Sequence, residues 1–256
     1  MAQTARKPEI VNIARREGIV TVEELVSRFG VTPQTIRRDL TELADEGQLE
    51  RVHGGALLPS KTTNIGYSER RGLNHAAKVD IARACAREIP NDCCVFLNIG
   101  TTTEAVAAEL VHHEGLLVVT NNINIATQLS GAEGIELVVT GGNLRRTDGG
   151  LIGDLAKQTI RQFRFDYAVI GCSALHPEGD ILDYDFLEVG VSKEIIDCSE
   201  HVFLVADATK FDRKAPARIA SLSSADVFFT DLPPPERTQA ACEATDTRIV
   251  VAAAGQ

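Results

Sequence analysis

From residue 75 onward, short apolar runs and helical patterns take turns along the chain. A helical pattern over His75–Ile89 precedes an apolar run at Cys93–Asn98, and a helix opens near Thr103. Then come a run at Leu116–Thr120, a helix over Ile123–Leu129 and a run at Glu136–Thr140. Further runs fall at Tyr167–Gly171, Val202–Ala206 and Val227–Thr230; the last, Arg248–Ala252, follows a helix near Glu236–Ala244. Strands that are apolar throughout must be covered on both faces, and strands joined through helices run parallel. The expected class for this part is α/β, with a mainly parallel sheet.

The first sixty residues read differently. Ile10, Ile13 and Ala14 recur at helical spacing until Gly18, and Ile19–Thr21 is a short extended piece. Val22–Phe29 is a second helix, closed by Gly30. The third helix has the clearest start. Thr32 can cap it, Pro33 suits its first position, and Ile36, Leu40 and Leu43 follow at i, i+4 and i+7. Gly47 ends that pattern, and Leu49–Leu57 reads as two short strands around Gly54-Gly55. Helix, helix, tight turn, helix and a glycine hairpin is the order of a winged helix-turn-helix. Residues 59–74 are polar and poor in apolar positions. They are expected to be a linker between a DNA-binding domain at 1–58 and a second domain at 75–256.

A formal net charge of -10 argues against nucleic acid until the chain is divided. Residues 1–60 hold 8 Lys+Arg and 9 Asp+Glu, a net of -1; residues 61–256 hold 18 and 27, a net of -9. DNA affinity must then come from where the arginines lie. The apolar stripe of the third helix leaves Thr32, Gln34, Thr35, Arg37 and Arg38 largely on other faces, and they are the candidates to enter a major groove. Arginine forks suit phosphates and guanine edges, and Gln can pair with adenine. Arg51 and His53 on the wing could touch the DNA backbone or the minor groove. A solvated surface helix would carry Arg37 and Arg38 equally well. Their coincidence with a short second helix, a Gly30 turn, a capped start and a glycine hairpin favours DNA.

Thr21–Phe29, Val31–Leu40 with its Thr-Ile-Arg-Arg-Asp-Leu, and Arg51–Ala56 with its His-Gly-Gly-Ala closely resemble the DeoR family of bacterial sugar-metabolism repressors. The resemblance implies that Arg37 and Arg38 lie on a recognition helix and that double-stranded operator DNA is a partner. A near-palindromic operator calls for a twofold assembly, so a homodimer or homotetramer is expected.

A second candidate site lies in the α/β part. Cys93–Asn98 runs into Ile99-Gly100-Thr101-Thr102-Thr103, a glycine and three hydroxyls where a strand meets a helix. The unpaired N–H groups of a helix start attract an anion, and Gly100 lets the backbone come close. A capped helix start without a ligand would look the same, but three more features fall at strand ends. They are Asn121-Asn122, Gly141-Gly142 with Arg145-Arg146, and Lys210. Ligands of open α/β sheets collect outside the carboxyl ends of strands. Gly100, Thr101, Thr102, Thr103, Asn121, Asn122, Gly141, Gly142, Arg145 and Lys210 are therefore the candidate phosphate-binding residues.

The resemblance continues over Asn98–Thr103, Thr120–Asn122, Gly141–Arg145, Gly171–Ser173 and Ala206–Phe211. It implies an effector domain similar in fold to ribose-5-phosphate isomerase and a phosphorylated small-molecule effector. Arg145–Gly153, Asp183–Val189 and Thr230–Pro235 imply glycerol 3-phosphate, with fructose 1-phosphate the alternative. The resemblance also places Lys193 among the effector residues, at a point where the family often carries a Lys-Arg pair and this chain reads Ser192-Lys193-Glu194.

The rival reading is a sugar-phosphate isomerase. Proton shuttling needs a positioned carboxylate, and Gly171-Cys172-Ser173-Ala174, where the isomerase has its acidic loop, has none. Asp183, Asp185 and Glu188 could act there, but binding ligand hydroxyls or facing solvent is the preferred reading. No enzyme activity, cofactor or metal is expected. The six cysteines form no C-x-x-C pair, and His112-His113 do not share a helix face. The first residues lack the apolar core of a secretory signal and the apolar runs are too short to span a bilayer, so a cytoplasmic protein is expected.

Overall fold

The computed structural model describes residues 3–17, 19–46, 48–52, 55–57 and 67–252. The chain divides into two units, Met1–Thr63 and Asn64–Gln256.

The first unit contains α1 (Gln3–Glu17), β1 (Ile19–Thr21), α2 (Val22–Phe29), α3 (Pro33–Asp45), β2 (Glu50–Val52) and β3 (Gly55–Leu57). Thr21 and Glu24 close a capping box at the start of α2. Gly30 stops that helix in the left-handed conformation, φ 63°, and donates to the Val26 carbonyl at 2.9 Å. The turn into α3 is tight for that reason. Thr32 caps α3 by accepting from the Thr35 N–H at 3.2 Å, and Pro33 fills the first position. Ile36, Leu40 and Leu43 are buried in one cluster with Ile10, Ile13, Leu25 and Ala56. β3 lies between β1 and β2 in an antiparallel sheet, with Ala56 opposite both Val20 and Arg51. A Cβ on Gly55 would meet the Val20 carbonyl oxygen at 2.1 Å, so only glycine lets these strands pair. Gly18, Gly47, Gly54, Leu58 and residues 59–66 of the expected linker lie outside the described residues.

The second unit opens with α4 (Tyr67–Gly72) and α5 (His75–Ala86). The end of the expected linker is therefore helical, because Tyr67 and Arg70 have partners in this unit, described below. Next come β4 (Cys94–Leu97), α6 (Thr101–Leu110), β5 (Leu116–Thr120), α7 (Ile123–Leu129) and β6 (Ile135–Val139). A ribbon of β7 (Asn143–Arg145) and β8 (Gly150–Ile152) leads to α8 (Asp154–Ile160) and β9 (Phe165–Ile170). The chain continues through β10 (Ala174–Leu175), β11 (Asp180–Asp183), α9 (Phe186–Asp197) and β12 (Ser199–Val205). It closes with β13 (Ala217–Ser221), β14 (Val227–Thr230), α10 (Glu236–Ala244) and β15 (Arg248–Val251).

Among the described residues seven strands form one parallel sheet, in the order β6-β5-β4-β9-β12-β14-β15. Each central strand buries both faces. Val95 and Leu97 pack with α5, α6 and α7 through Ile81, Val106 and Leu129, while Phe96 points the other way, toward Ile160 and Ile195 of α8 and α9. Phe203 and Phe229 take the first face, Leu204 and Phe228 the second. This is an α/β/α sandwich around an open parallel sheet. A small antiparallel sheet, β10-β11-β13, stands beside it.

The strand order sets the position of any ligand. From β4 the sheet grows outward through β5 and β6, then resumes on the other flank of β4 with β9. The segments that leave the tips of β4 and β9 go to opposite faces, α6 to one and α9 to the other. A crevice opens between such tips, and it is the usual ligand site of this architecture.

Candidate functional site

A cleft of about 370 Å³, its open mouth included, occupies that crevice. The β4 side supplies Ile99, Gly100 and Thr101–Thr103. Buried Asn98 shapes this turn, accepting from the Ile99 N–H at 2.7 Å and donating to Ser192 Oγ at 2.9 Å. Gly100 has φ 151°, and a Cβ there would press on Thr103 Oγ1 at 3.2 Å. No side chain caps α6, so the amides of its first turn remain open to an anion. The Thr103 hydroxyl is not one of the open donors, since it donates back to the Gly100 carbonyl at 2.7 Å.

The β9 side supplies Gly171, Cys172 and Ser173, with Asp183 from β11 and Glu188 from α9. Ser173 Oγ donates to Asp183 Oδ2 at 3.0 Å, and Asp183 Oδ1 accepts from the Tyr184 N–H at 2.6 Å. Burial pushes the Cys172 thiol up to about 12, so it stays neutral. From the end of β12 come Val205 and Lys210. Asp207 fixes the turn between them by accepting from the Thr209 N–H at 3.1 Å. Burial lowers the Lys210 ammonium, with Arg213 adding to the effect. Among the described residues Lys210 has no ion pair in the cleft. The cleft lining thus combines open amides and a cation with carboxylates.

In the first unit Thr32, Gln34, Arg37 and Arg38 are exposed and Thr35 is half-buried; with Thr41 they line an open concavity on one side of α3. Arg38 reaches Glu42 at 3.6 Å across one turn. Beneath this face Asp39 is fully buried and pairs with Arg6 of α1, Nε to Oδ2 at 2.5 Å. The hydrogen bond to Asp39 is the main cause of the raised pKa of the Arg6 guanidinium. Arg51 sits in β2 opposite Ala56. His53 lies outside the described residues.

Residues 6–62 match the DeoR-like helix-turn-helix domain, and residues 73–232 match the DeoR C terminal sensor domain. This chain belongs to the DeoR family. It is 44% identical over 235 residues to a glycerol-3-phosphate regulon repressor of Escherichia coli, covering 92% of this chain and 93% of that one. The Haemophilus influenzae protein of the same name is 44% identical over 234 residues, 91% of each chain. A lactose phosphotransferase system repressor of Lactococcus lactis is 30% identical over 235 residues, 90% of this chain and 92% of that one. A solved D-ribose-5-phosphate isomerase aligns over 52% of each chain with a TM-score of 0.40 at 15% identity.

Several residues expected to hold a ligand in this DeoR-family chain have other work. Asn121 and Asn122 are fully buried. Asn121 Nδ2 donates to the Leu151 carbonyl at 3.2 Å. Asn122 caps α7 through the Asn124 N–H at 2.8 Å and donates to Glu104 Oε1 at 3.0 Å. They join β8 and α6 to the tip of β5 and do not line the cleft. Gly141 and Gly142 serve close packing: a Cβ would meet the Leu155 side chain at 2.8 Å and the Ile152 carbonyl at 2.7 Å respectively. Lys193 is exposed on α9 and lies outside the cleft lining.

Arg145 is the largest correction. Its Nε and Nη2 take both oxygens of Asp148, at 2.9 and 2.6 Å, Nη1 takes Asp185 at 2.8 Å and Nη2 takes Glu188 at 2.5 Å. Burial opposes its charge, but the Asp148 hydrogen bond and the Glu188 charge outweigh that and raise its pKa. Three carboxylates gathered on one guanidinium, Asp148 and Glu188 at low exposure, need a counter-ion, and Arg145 supplies it from outside the cleft lining. Glu188 is nevertheless pushed up to about 7, first by burial and then by Asp183, with Arg145 opposing. Asp185 is no solvated carboxylate either, since it caps α9 by accepting from Leu187 N–H at 2.8 Å.

Tyr67 and Arg70-Arg71 read from the sequence as linker residues, at most in contact with DNA or between domains, and not as effector residues, because the sequence around them is polar. Arg70 lines the cleft. The i, i+3 spacing of Tyr67 and Arg70 was the available signal, for it puts both on one face of a single helical turn. Tyr67 donates to Glu104 Oε2 at 2.8 Å, and burial with that bond pushes its phenol up to about 12.

Among the described residues no group of His, Cys, Asp and Glu is placed to hold a metal, and no helix is long and apolar enough to cross a membrane. Arg37→Ala or Arg38→Ala is expected to weaken operator binding by roughly 5- to 150-fold per contact. Both side chains are exposed, so the thermal transition should hold. Unchanged mobility-shift affinity for both variants defeats that expectation.

Proposed function

We propose that this chain is a sequence-specific transcriptional repressor of carbon-metabolism genes, released from its operator when glycerol 3-phosphate fills the cleft. One observation carries the effector class: uncapped α6 amides, Lys210, Asp183 and Glu188 line one cleft at the β4–β9 crevice. Amides and an ammonium suit a phosphoryl group; carboxylates suit hydroxyls. A short polyol phosphate has both. The names of the relatives in Escherichia coli and Haemophilus influenzae support the glycerol ester among such compounds.

In this reading the unit up to Thr63 binds DNA, with α3 as the recognition helix, and the unit from Asn64 senses the effector in the cytoplasm. Two copies, at least, meet a two-part operator. Catalysis is not part of the reading. The relatives are named repressors, and no carboxylate stands in Gly171-Cys172-Ser173-Ala174.

The effector can shift the DNA equilibrium only by its differential affinity for the two states, typically about 1–3 kcal/mol. Operator DNA must weaken effector binding by the same factor. The test is a thermal-shift series with glycerol 3-phosphate, fructose 1-phosphate and ribose 5-phosphate, followed by operator release. A ligand at one hundred times its Kd adds about 2.7 kcal/mol of stability. Glycerol 3-phosphate should give the largest shift and release the operator. A protein that ignores all three esters, or holds its operator equally well when saturated, overturns the proposal.

A further inference from the structure

Arg70 is a cleft cation whose side chain is poorly satisfied. Its Nε is buried with no hydrogen-bond acceptor among the described residues. Its Nη2 stands 3.6 Å from Asp148 Oδ2, beyond hydrogen-bond reach. That oxygen already accepts from Arg145 at 2.6 Å, and the other oxygen of Asp148 accepts from Arg145 at 2.9 Å. The carboxylate nearest Arg70 is therefore held by Arg145. A buried guanidinium N–H without an acceptor is costly, and an arriving anion removes that cost.

Lys210 is a second cation in the same lining. Burial lowers Lys78 to about 8; Asp207 opposes this, and the charges of Lys210, Arg70 and Arg213 add to it. The backbone that carries Arg70 is held at both ends of α4. Lys78 Nζ donates to the carbonyls of Arg70 and of Leu73, the latter at 2.7 Å, and Tyr67 donates to Glu104. The guanidinium is thus presented to the cleft from a fixed support. A fork of parallel N–H donors matches phosphate oxygens better than a single ammonium does.

We infer that Arg70 is a ligand of the effector's phosphoryl group, giving its Nε–H and an Nη–H to oxygens of the anion in place of its long contact with Asp148. The inference rests on the reading of the cleft as a phosphate-ester site. It adds a ligand from α4, whose Arg70 follows the end of the first unit, Thr63, by seven residues. Occupancy of the pocket is then bonded directly to the segment that leads in from the DNA-binding unit.

The test uses the full-length chain and glycerol 3-phosphate, with inorganic phosphate as a second probe. Arg70→Ala should bind glycerol 3-phosphate about 10- to 100-fold more weakly by calorimetry, and its operator complex should need correspondingly more ester for release. Arg70→Lys keeps the charge and loses the fork, and should recover only part of the affinity. A purely structural role could mimic an affinity loss, so the Nε–H resonance of isotopically labelled arginine is followed in the wild-type chain. The signal absent from Arg70→Lys should move on saturation with either probe. A wild-type chain that binds the ester with that resonance unmoved, or an Arg70→Ala chain that binds with wild-type affinity, overturns the inference and leaves the cleft reading intact. A wild-type chain that binds neither probe overturns both. If Arg70→Ala fails to fold, the Arg70→Lys affinity and the resonance decide.

Discussion

Arg145→Ala is expected to lower the stability of the second unit by about 3–5 kcal/mol, the usual cost of stripping the counter-ion from buried charge. Asp148 and Glu188 have side chains only 4% and 12% exposed, so water cannot take over the role of the guanidinium. For a unit of this size that loss is roughly 6–20 °C in Tm. The effect should depend on pH. The folded-state pKa of Glu188 lies above its ordinary value, at about 7, so the folded chain holds more protons than the unfolded one and stability falls as pH rises toward and through 7. Arg145 opposes that shift, and its removal pushes the carboxyl higher still. Asp185 is shifted the other way: burial raises it, but the Arg145 hydrogen bond and the Leu187 and Glu188 amides lower it further. Its contribution is lost only as pH falls through the acid range, so it leaves the slope above about pH 5.5 unchanged. Urea unfolding at about pH 5.5 and about pH 8 should show the larger deficit for Arg145→Ala at the higher pH. Equal deficits at both, or a loss below about 1 kcal/mol, would remove Arg145 from its place as the keystone of the carboxylates.

Arg6→Ala should cost the first unit a similar amount. Asp39 is fully buried, its Oδ2 is held by Arg6 at 2.5 Å, and its Oδ1 has no partner among the described residues. Losing Arg6 leaves a carboxylate in the core with nothing to balance it, again about 3–5 kcal/mol. A 63-residue unit has only about 3–9 kcal/mol in hand at ordinary stabilities per residue. Operator binding should therefore disappear although Arg6 is not among the residues that line the concavity of α3, the proposed DNA-reading face. The double variant Arg6→Met, Asp39→Leu removes both charges and should restore most of the fold. Circular dichroism on the first unit's transition, beside mobility shift, separates the outcomes: a stable Arg6→Ala chain with full affinity defeats the argument.

Features that depend on local chemistry were legible in the residues. Thr32-Pro33, Gly30 and the Ile36-Leu40-Leu43 stripe name the start, the preceding turn and the buried face of α3 without help from distant residues. Ile99–Thr103 names a strand-to-helix turn, and the cleft lies on it. Features that depend on pairing across the chain were not. Arg145 reads as an anion donor, because nothing nearby in sequence reveals that its partners Asp185 and Glu188 stand 40 and 43 residues away. Arg70 reads as linker because α4 is a single short helix whose place is set by Glu104 and Lys78. The short strands β7, β8, β10 and β11 escape periodicity altogether, being two to four residues long. Asn121-Asn122 and Gly141-Gly142 show the converse error: residues suited to hold a ligand are equally suited to hold neighbouring backbone.

If the proposed reading of the cleft holds, the reversal of strand order beside β4 assigns the two ends of a bound phosphate ester to parts of the chain with unequal freedom to change. The anion end meets main-chain amides whose positions follow from the sheet itself, so mutation can hardly retune them without disturbing the sandwich. The other end meets Asp183 and Glu188, which project from a hairpin and a helix tip outside the seven-stranded sheet. A lineage can exchange that appendage for another and acquire a new sugar to answer to, while inheriting the phosphate grip unaltered.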